Sequence, residues 1–187
     1  MVEKIEEFEC QLQYYWGVCI AHLFPTNPEF TKGNTRYGIS IVNSVNKSTS
    51  VVIKFNVLHD GNVLTFPKKL AGYKKNHIGK TLTLTQDYIQ VISKVQEMWQ
   101  NIIKHFPEHI ITKETLKPTC EQFGLAIKKV DQLEYDILTG KETNLWDIVE
   151  NKLDEINNKE YTSDIHKNKA LEKLCKSIYD YALVLAI

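Results

Sequence analysis

The feature that most constrains the fold is a long stripe of apolar side chains between residues 85 and 106. Its main members recur at intervals of 4, 3, 4, 3 and 4 residues: Tyr88, Ile92, Val95, Trp99, Ile102 and Phe106. This spacing is that of one face of an α-helix. Further apolar residues widen the stripe, so it must be covered on more than one side. We therefore expect a central helix that packs on a sheet and on another helix or a second subunit, which leaves a homodimer open.

The N-terminal segment also has apolar residues at helical intervals. They include Ile5, Phe8, Leu12, Cys19 and Leu23, and acidic residues precede them, where they would favour the positive end of a helix dipole. Pro25 and Pro28 would end such a helix. The sequence therefore predicts an N-terminal helix.

Three short segments after this helix have the character of strands. Residues 37–43, 51–58 and 63–66 are rich in β-branched and aromatic side chains, and Asp60 and Gly61 form a turn signal before the third. These segments predict a small antiparallel β-meander. Residues 67–80 are interpreted as a loop.

The rest of the chain is predicted to be helical. Candidate helices are 118–138, 145–156 with Asn144 as its N-cap, and 164–185 with Ser163 as its N-cap. The predicted fold is α+β: an N-terminal helix, a small antiparallel β-meander, a long amphipathic central helix and a helical C-terminal half. Residues 1–110 would form the α+β domain, and 111–187 a helical subdomain packed on it.

Composition and the cysteines favour a cytoplasmic protein without a membrane span. The N-terminus is acidic where a secretory signal would be basic, and no apolar stretch approaches the ~20 residues that span a bilayer. The four cysteines lie far apart at 10, 19, 120 and 175. That pattern is typical of reduced, mostly buried thiols.

Three motifs suggest metal or nucleotide chemistry, and each departs from the geometry that chemistry needs. Cys19 and His22 would share a helical face, but structural zinc usually needs two close ligand pairs. Residues 105–109 spell H-x-x-E-H, but Pro107 interrupts the helix that the two histidines require. The 72–81 segment has six residues between its glycines, whereas a P-loop has four. We therefore predict no metal, no cofactor and no catalytic residue, although catalytic groups can converge in three dimensions.

Residues 116–133 resemble a helix-turn-helix. Cys120 is followed four residues later by Gly124 and then by apolar residues, and a second helix would present Lys128, Lys129 and Gln132 to DNA. The same residues also fit one continuous helix with Gly124 inside it, at a cost of about 1 kcal/mol. Both interpretations remain open in the sequence, and the continuous helix is favoured.

Charge is unevenly distributed, although the chain has 23 basic and 23 acidic residues. Residues 67–129 hold eleven basic and five acidic side chains, and residues 130–187 hold seven and twelve. A basic loop contains no acid, and its candidate contact residues are Lys68, Lys69, Tyr73, Lys74, Lys75, His77 and Lys80. Lysines collect on loops because they solvate well there, but such a patch also suits an anionic surface.

These features favour a non-enzymatic cytosolic regulatory or accessory protein that docks onto a protein or nucleoprotein partner. A small inhibitor or a subunit of a complex would fit. The basic residues are almost all Lys, and Arg36 is the one Arg. The chain is therefore poorly suited to recognising bases through several bidentate contacts. The alternative is a DNA-binding regulator that uses residues 116–133, with nucleic acid also meeting the Lys-rich loop. An enzyme whose site is invisible in one sequence is the third class.

Overall fold

The structure is a computed structural model that describes residues 7–44, 51–66, 72–75 and 86–185. The chain divides into two compact units, Met1–Gln100 and Asn101–Ile187, and the division falls within a long helix. The first unit is an antiparallel sheet and the start of that helix, and the second is helical. The α+β class predicted from the sequence is confirmed.

The strands and helices follow one another in two blocks. The strands are β1 (Phe8–Tyr15), β2 (Val18–Pro25), β3 (Thr31–Lys32), β4 (Thr35–Ser44), β5 (Val51–His59), β6 (Asn62–Thr65) and β7 (Gly72–Lys75). The helices are α1 (Gln86–His105), α2 (Lys113–Phe123), α3 (Ile127–Leu138), α4 (Leu145–Asn158) and α5 (Asp164–Val184). None of the helices in the described part of the chain combines the length and apolar character that crossing a membrane requires.

All the described strands belong to one antiparallel sheet. Its order is β1-β2-β4-β5-β6, while β3 pairs with β4 and β7 pairs with β5. Asp60 and Gly61, both with positive φ, make the tight turn between β5 and β6. The predicted meander is therefore present, but it is part of a larger sheet.

The predicted N-terminal helix is wrong, because residues 8–25 form the β1–β2 hairpin. From Phe8 to Tyr14, apolar and polar residues alternate strictly, which is the period of a half-buried strand. Some of the same apolar residues also recur every three or four positions, and that spacing predicted a helix. Trp16 and Gly17 then have φ of 46° and 76°, as a two-residue type I′ turn requires.

The core of the first unit is an aromatic cluster between the sheet and α1. Tyr37 on β4 lies between Phe30, Phe55 and Trp99, with ring centroids 5.9, 6.0 and 5.4 Å away. The ring centroid of Phe66 lies 6.3 Å from that of Trp99. The central helix predicted from the apolar stripe thus covers one face of the sheet through Trp99, which is buried.

The helices of the second unit enclose their own apolar core. Its buried members include Leu116, Phe123, Leu145, Ile148, Leu153 and Leu174. Asn144 caps α4 as predicted, since its side chain accepts a hydrogen bond from the Asp147 amide at 3.1 Å. Tyr181 on α5 donates to Thr119 on α2 at 2.9 Å, and so links the first and last helices of this bundle.

The favoured continuous helix over 118–138 is wrong. Helix α2 ends at Phe123, and Gly124 follows in the left-handed conformation with φ of 68°. Helix α3 begins at Ile127 after a short turn. A glycine in this conformation is a common end to a helix because it has no Cβ to clash with the preceding turn.

Candidate interaction surface

The N-terminal strand β1 lies at an edge of the sheet. Among the described strands it pairs with β2 alone, in a register that places Phe8 opposite Pro25 and Tyr15 opposite Val18. An edge strand presents a row of main-chain donors and acceptors that another strand can pair with.

The hydrogen-bond pattern of the hairpin shows which residues point toward the open edge. Thr26 donates its amide hydrogen to the Glu7 carbonyl at 2.9 Å, which continues the β1–β2 register by one residue. Hydrogen-bonded and non-hydrogen-bonded pairs alternate in an antiparallel ladder. The odd-numbered residues of β1 therefore bond to β2, and the even-numbered residues direct their N–H and C=O groups outward.

The same even-numbered residues carry the apolar side chains of β1, and these are exposed. Phe8 is 41% exposed, Leu12 55% and Tyr14 74%, and Trp16 in the turn is 88% exposed. Cys10, between them, is also exposed. Isolated exposed apolar residues are ordinary, but an alternating row on one strand is typical of an interaction surface.

This row is the outer margin of the face that forms the core. Side chains directly opposite one another share a face, and one such row runs from Cys10 through Leu23 and Ile39 to Phe55. Ile39 and Phe55 are buried, Leu23 is half-buried and Cys10 is exposed. The apolar face thus continues beyond the covered centre of the sheet onto the open edge.

Charge does not protect this edge. Natural edge strands are commonly guarded by lysine, proline or a bulge. Strand β1 has no lysine or proline, and its one charged residue is Glu9. Arg36 donates a hydrogen bond to the Glu9 carboxylate, and this bond is the main reason that the pKa of Glu9 lies below its usual value. The carboxylate is therefore already paired, and it belongs to the odd-numbered set that faces away from the apolar row.

The opposite face of the sheet holds a buried polar cluster of His22, Ser40 and Asn56. The Ser40 hydroxyl lies 2.7 Å from His22 Nδ1, and Asn56 Nδ2 donates to Ser40 Oγ at 2.7 Å. Burial lowers the pKa of His22, which favours the neutral ring. A serine next to a neutral histidine is the geometry of an activated nucleophile. Ser40 is fully buried, however, so no substrate could reach its hydroxyl, and the cluster serves to join β2, β4 and β5.

Among the clefts in the described part of the second unit, two have volumes of about 450 and 490 Å³. The first contains Lys152 and Glu155, whose charged atoms lie 2.9 Å apart. The second contains Asp136 and Lys141, whose charged atoms lie 2.8 Å apart. Because these charged groups are engaged with each other, neither cleft supports a function as directly as the open edge of β1 does.

Of the seven residues assigned to the basic loop, the structure places three. Tyr73, Lys74 and Lys75 lie on β7, which pairs with β5 at the edge of the sheet opposite β1. The prediction of a loop is therefore wrong for residues 72–75. Lys68, Lys69, His77 and Lys80 lie outside the described residues.

The three predicted contact residues of the helix-turn-helix lie on α3. Lys128 and Gln132 are exposed and Lys129 is half-buried. Gln132 donates to the Asp136 carboxylate at 3.0 Å, so its amide is partly engaged. The exposed surface of α3 also includes Ile127, Tyr135 and Leu138, which are large apolar side chains. Such a surface is less suited to DNA than one formed by basic and polar residues alone.

The two metal motifs considered from the sequence do not have the required geometry. Cys19 and His22 lie three apart on strand β2, so their side chains point to opposite faces of the sheet. Helix α1 ends at His105, and His109 has an extended backbone after a short 3₁₀ turn. Instead, His105 Nδ1 lies 2.9 Å from Glu108 Oε2, which is hydrogen-bonding distance.

The alternation of β1 was the one sequence signal that could have located the edge surface. It is visible from Phe8 to Tyr14, but it does not tell whether the strand lies at the centre or at an edge of a sheet.

Family models, curated proteins and solved structures were all compared with this chain, and none of them matches it.

Proposed function

We propose that this chain is a non-enzymatic regulatory or accessory protein that docks onto a protein partner, and that β1 is its docking element. The observation that supports this most is the coincidence of two properties on the same residues. Phe8, Cys10, Leu12 and Tyr14 have outward main-chain groups, and their side chains are apolar and exposed. Strand addition uses this combination, because main-chain hydrogen bonds give affinity and alternate side chains give specificity.

The expected gain in free energy is modest for each residue. Full burial of a leucine contributes about 1.5–3 kcal/mol, so covering the exposed half of Leu12 would contribute about 1 kcal/mol. The exposed parts of Phe8 and Tyr14 add similar amounts. The hairpin is already formed, so β1 itself loses little conformational entropy when an incoming strand pairs with it.

Introducing a charge on the open edge tests this proposal. Leu12→Lys places a charge in the apolar row, whereas Gln13→Lys places the same charge one residue away on the other face. We expect the partner that co-purifies with the chain to be lost with Leu12→Lys and kept with Gln13→Lys. Amide exchange at Cys10 and Leu12 should also slow in the complex. A Leu12→Lys variant that binds as the original does, with unchanged exchange in β1, would refute the proposal.

The basic residues are proposed as a second contact with an anionic face of the partner. Lys74 and Lys75 lie on β7, at the opposite edge of the sheet from β1. Rim charges of this kind act mainly on the association rate. Lys74→Glu with Lys75→Glu should therefore slow association more than it speeds dissociation. Equal association and dissociation rates for the variant and the unmodified protein would show that these lysines do not contact the partner.

DNA binding is the second candidate function, and the turn at Gly124 favours it. Helices α2 and α3 are separate and joined by a short turn, as in a helix-turn-helix. Fluorescence anisotropy with mixed-sequence duplex DNA at low salt tests it. Binding that falls steeply with salt, with a shallower slope in Lys128→Glu with Lys129→Glu, would support this function. The absence of binding at low salt would exclude it.

A further inference from the structure

We propose that the strand that pairs with the open edge of β1 is β1 of a second copy of this chain, in antiparallel orientation around a two-fold axis at Gln11. This inference rests on the proposed function, since it names the occupant of the same surface. An isologous contact of this kind requires a surface that is complementary to itself. Strand β1 meets that requirement in its hydrogen-bonding groups, its side chains and its charge.

The hydrogen-bonding groups limit the registers that are available. Only the even-numbered residues of β1 direct main-chain groups outward, so an even residue must pair with an even residue of the second copy. An axis at Gln11 pairs Phe8 with Tyr14 and Cys10 with Leu12, and the symmetry repeats both pairs. All four outward residues are then used, which gives about eight main-chain hydrogen bonds. An axis at Cys10 or Leu12 would leave one of the four without a partner in the strand.

The side chains match in the same register. Antiparallel pairing places Phe8 beside Tyr14 of the second copy and Cys10 beside Leu12, all on one face. That face continues the core face of each sheet, so the two sheets would join with their apolar surfaces aligned. Aromatic pairs that lie directly opposite each other in a ladder stabilise it.

Electrostatics does not oppose this pairing. Glu9 would lie opposite Gln13 of the second copy, so the two carboxylates do not face each other, and each is paired with its own Arg36. The chain as a whole has 23 basic and 23 acidic residues, so two copies do not repel at long range. Lack of net charge also promotes association. A second copy of β1 therefore supplies the main-chain groups, the apolar side chains and the lack of opposing charge that pairing at this edge requires.

The size of the contact predicts a reversible dimer. An eight-residue strand pair buries less surface than the roughly 1,200–2,000 Å² of stable, specific interfaces. We expect the dimer to form at high concentration and to dissociate on dilution.

Cysteine crosslinking tests the register directly. Gln11 would lie opposite itself in a non-hydrogen-bonded pair, where Cα atoms are about 4.5 Å apart, within the range of a disulfide. Gln11→Cys in a Cys10→Ser background should therefore form a dimer of twice 21.7 kDa under mild oxidation. The matched control is Gln13→Cys in the same background. Two cysteines at position 13 would lie about 14 Å apart along the strands, and should not crosslink.

Sedimentation at increasing concentration gives the second readout. The unmodified chain should shift from monomer to dimer, and Leu12→Lys should raise the dissociation constant about tenfold or more. Gln13→Lys should not raise it, because the new lysine would lie opposite Glu9 of the second copy. Tyr14→Lys is a second variant of the apolar row, and unchanged circular dichroism of each variant confirms that it folds.

The outcomes separate this inference from the proposed function. Crosslinking at 11 but not at 13, with weaker dimers in Leu12→Lys, supports a second copy. A chain that remains monomeric and does not crosslink at 11 overturns the inference. If Leu12→Lys still abolishes binding of a different protein, the docking function stands and the occupant is that protein. If Leu12→Lys changes neither dimer formation nor the binding of another protein, both the inference and the proposed function fail.

Discussion

The indole of Trp99 stacks on the ring of Tyr37, with centroids 5.4 Å apart and ring planes inclined by 23°. Trp99 comes from α1 and Tyr37 from β4, so this contact joins the helix to the sheet. Both side chains are buried. The contact is the centre of the aromatic cluster that holds the first unit together.

Removing this indole should destabilise the protein strongly. Trp99→Ala leaves a large cavity beside Tyr37 and Phe66, and such substitutions cost about 3–5 kcal/mol. Urea unfolding followed by circular dichroism measures the change. Glu97→Ala, at an exposed position of the same helix, is the control and should change stability little. A Trp99→Ala variant as stable as the control would show that the indole does not pack on the sheet.

Gly38 should not tolerate even a methyl group. A Cβ at this position would lie 2.4 Å from Phe24 Cδ1 and 2.5 Å from both Asn56 Oδ1 and the Leu23 carbonyl oxygen. Gly38→Ala should therefore lower the free energy of unfolding by about 1–3 kcal/mol through overpacking. Gly61→Ala is the comparison, because a Cβ there has nothing within 4 Å and meets only the cost of a positive φ. A Gly38→Ala variant as stable as the unmodified protein would contradict this account of Gly38.

Acidification should weaken the sheet through His22. Burial holds the pKa of His22 below the value near 6.5 of an unfolded chain. The unfolded chain therefore takes up a proton first as the pH falls, so this contribution to stability is present above about pH 6.5 and is lost below it. Unfolding measured between pH 7.5 and 5 should show the loss, and His22→Gln should flatten the dependence. An identical slope in that variant would show that another group is responsible.

The ion pair of Lys152 and Glu155 should contribute to the stability of the turn between α2 and α3. Lys152 Nζ donates to the Gly124 carbonyl, and Glu155 Oε1 accepts from the Ala126 amide at 2.7 Å. Both charged side chains are largely buried. Lys152→Met leaves a carboxylate without its partner and should cost about 3 kcal/mol. Lys141→Met removes a lysine that is 70% exposed in its pair with Asp136 and serves as the control, for which thermal unfolding should change little.

The exposed thiol and the two buried thiols should differ in reactivity with maleimide at neutral pH. Cys10 is exposed, whereas burial raises the pKa of Cys120 to about 11 and that of Cys175 to about 12. Because the thiolate is the reactive form, Cys10 should be labelled first and the two buried thiols only after unfolding. Peptide mass spectrometry of dilute samples identifies the labelled sites. Labelling of Cys120 or Cys175 at the rate of Cys10 would contradict the packing of α2 or α5.

Parts of the candidate surface were visible in the sequence and parts were not. The alternation from Phe8 to Tyr14 is a strand signal, but the apolar residues Phe8, Leu12 and Cys19 also fit a helix. Pairing of β2 with β4 decides between them, because only the extended form lets His22 reach Ser40. The two residues of that contact are 18 positions apart in the sequence, so the local spacing of apolar residues cannot reveal it.

The sequence by itself determined those elements whose cause is local. The stripe around Trp99 specified α1, Asn144 specified the start of α4, and Asp60 and Gly61 specified a turn, because spacing, capping and backbone freedom act within a few residues. Only the tertiary structure decided that β1 lies at an edge with its apolar residues exposed. Exposure depends on which distant parts of the chain pack beside the strand. An alternating strand has the same sequence pattern whether its second hydrogen-bonding edge is paired or open.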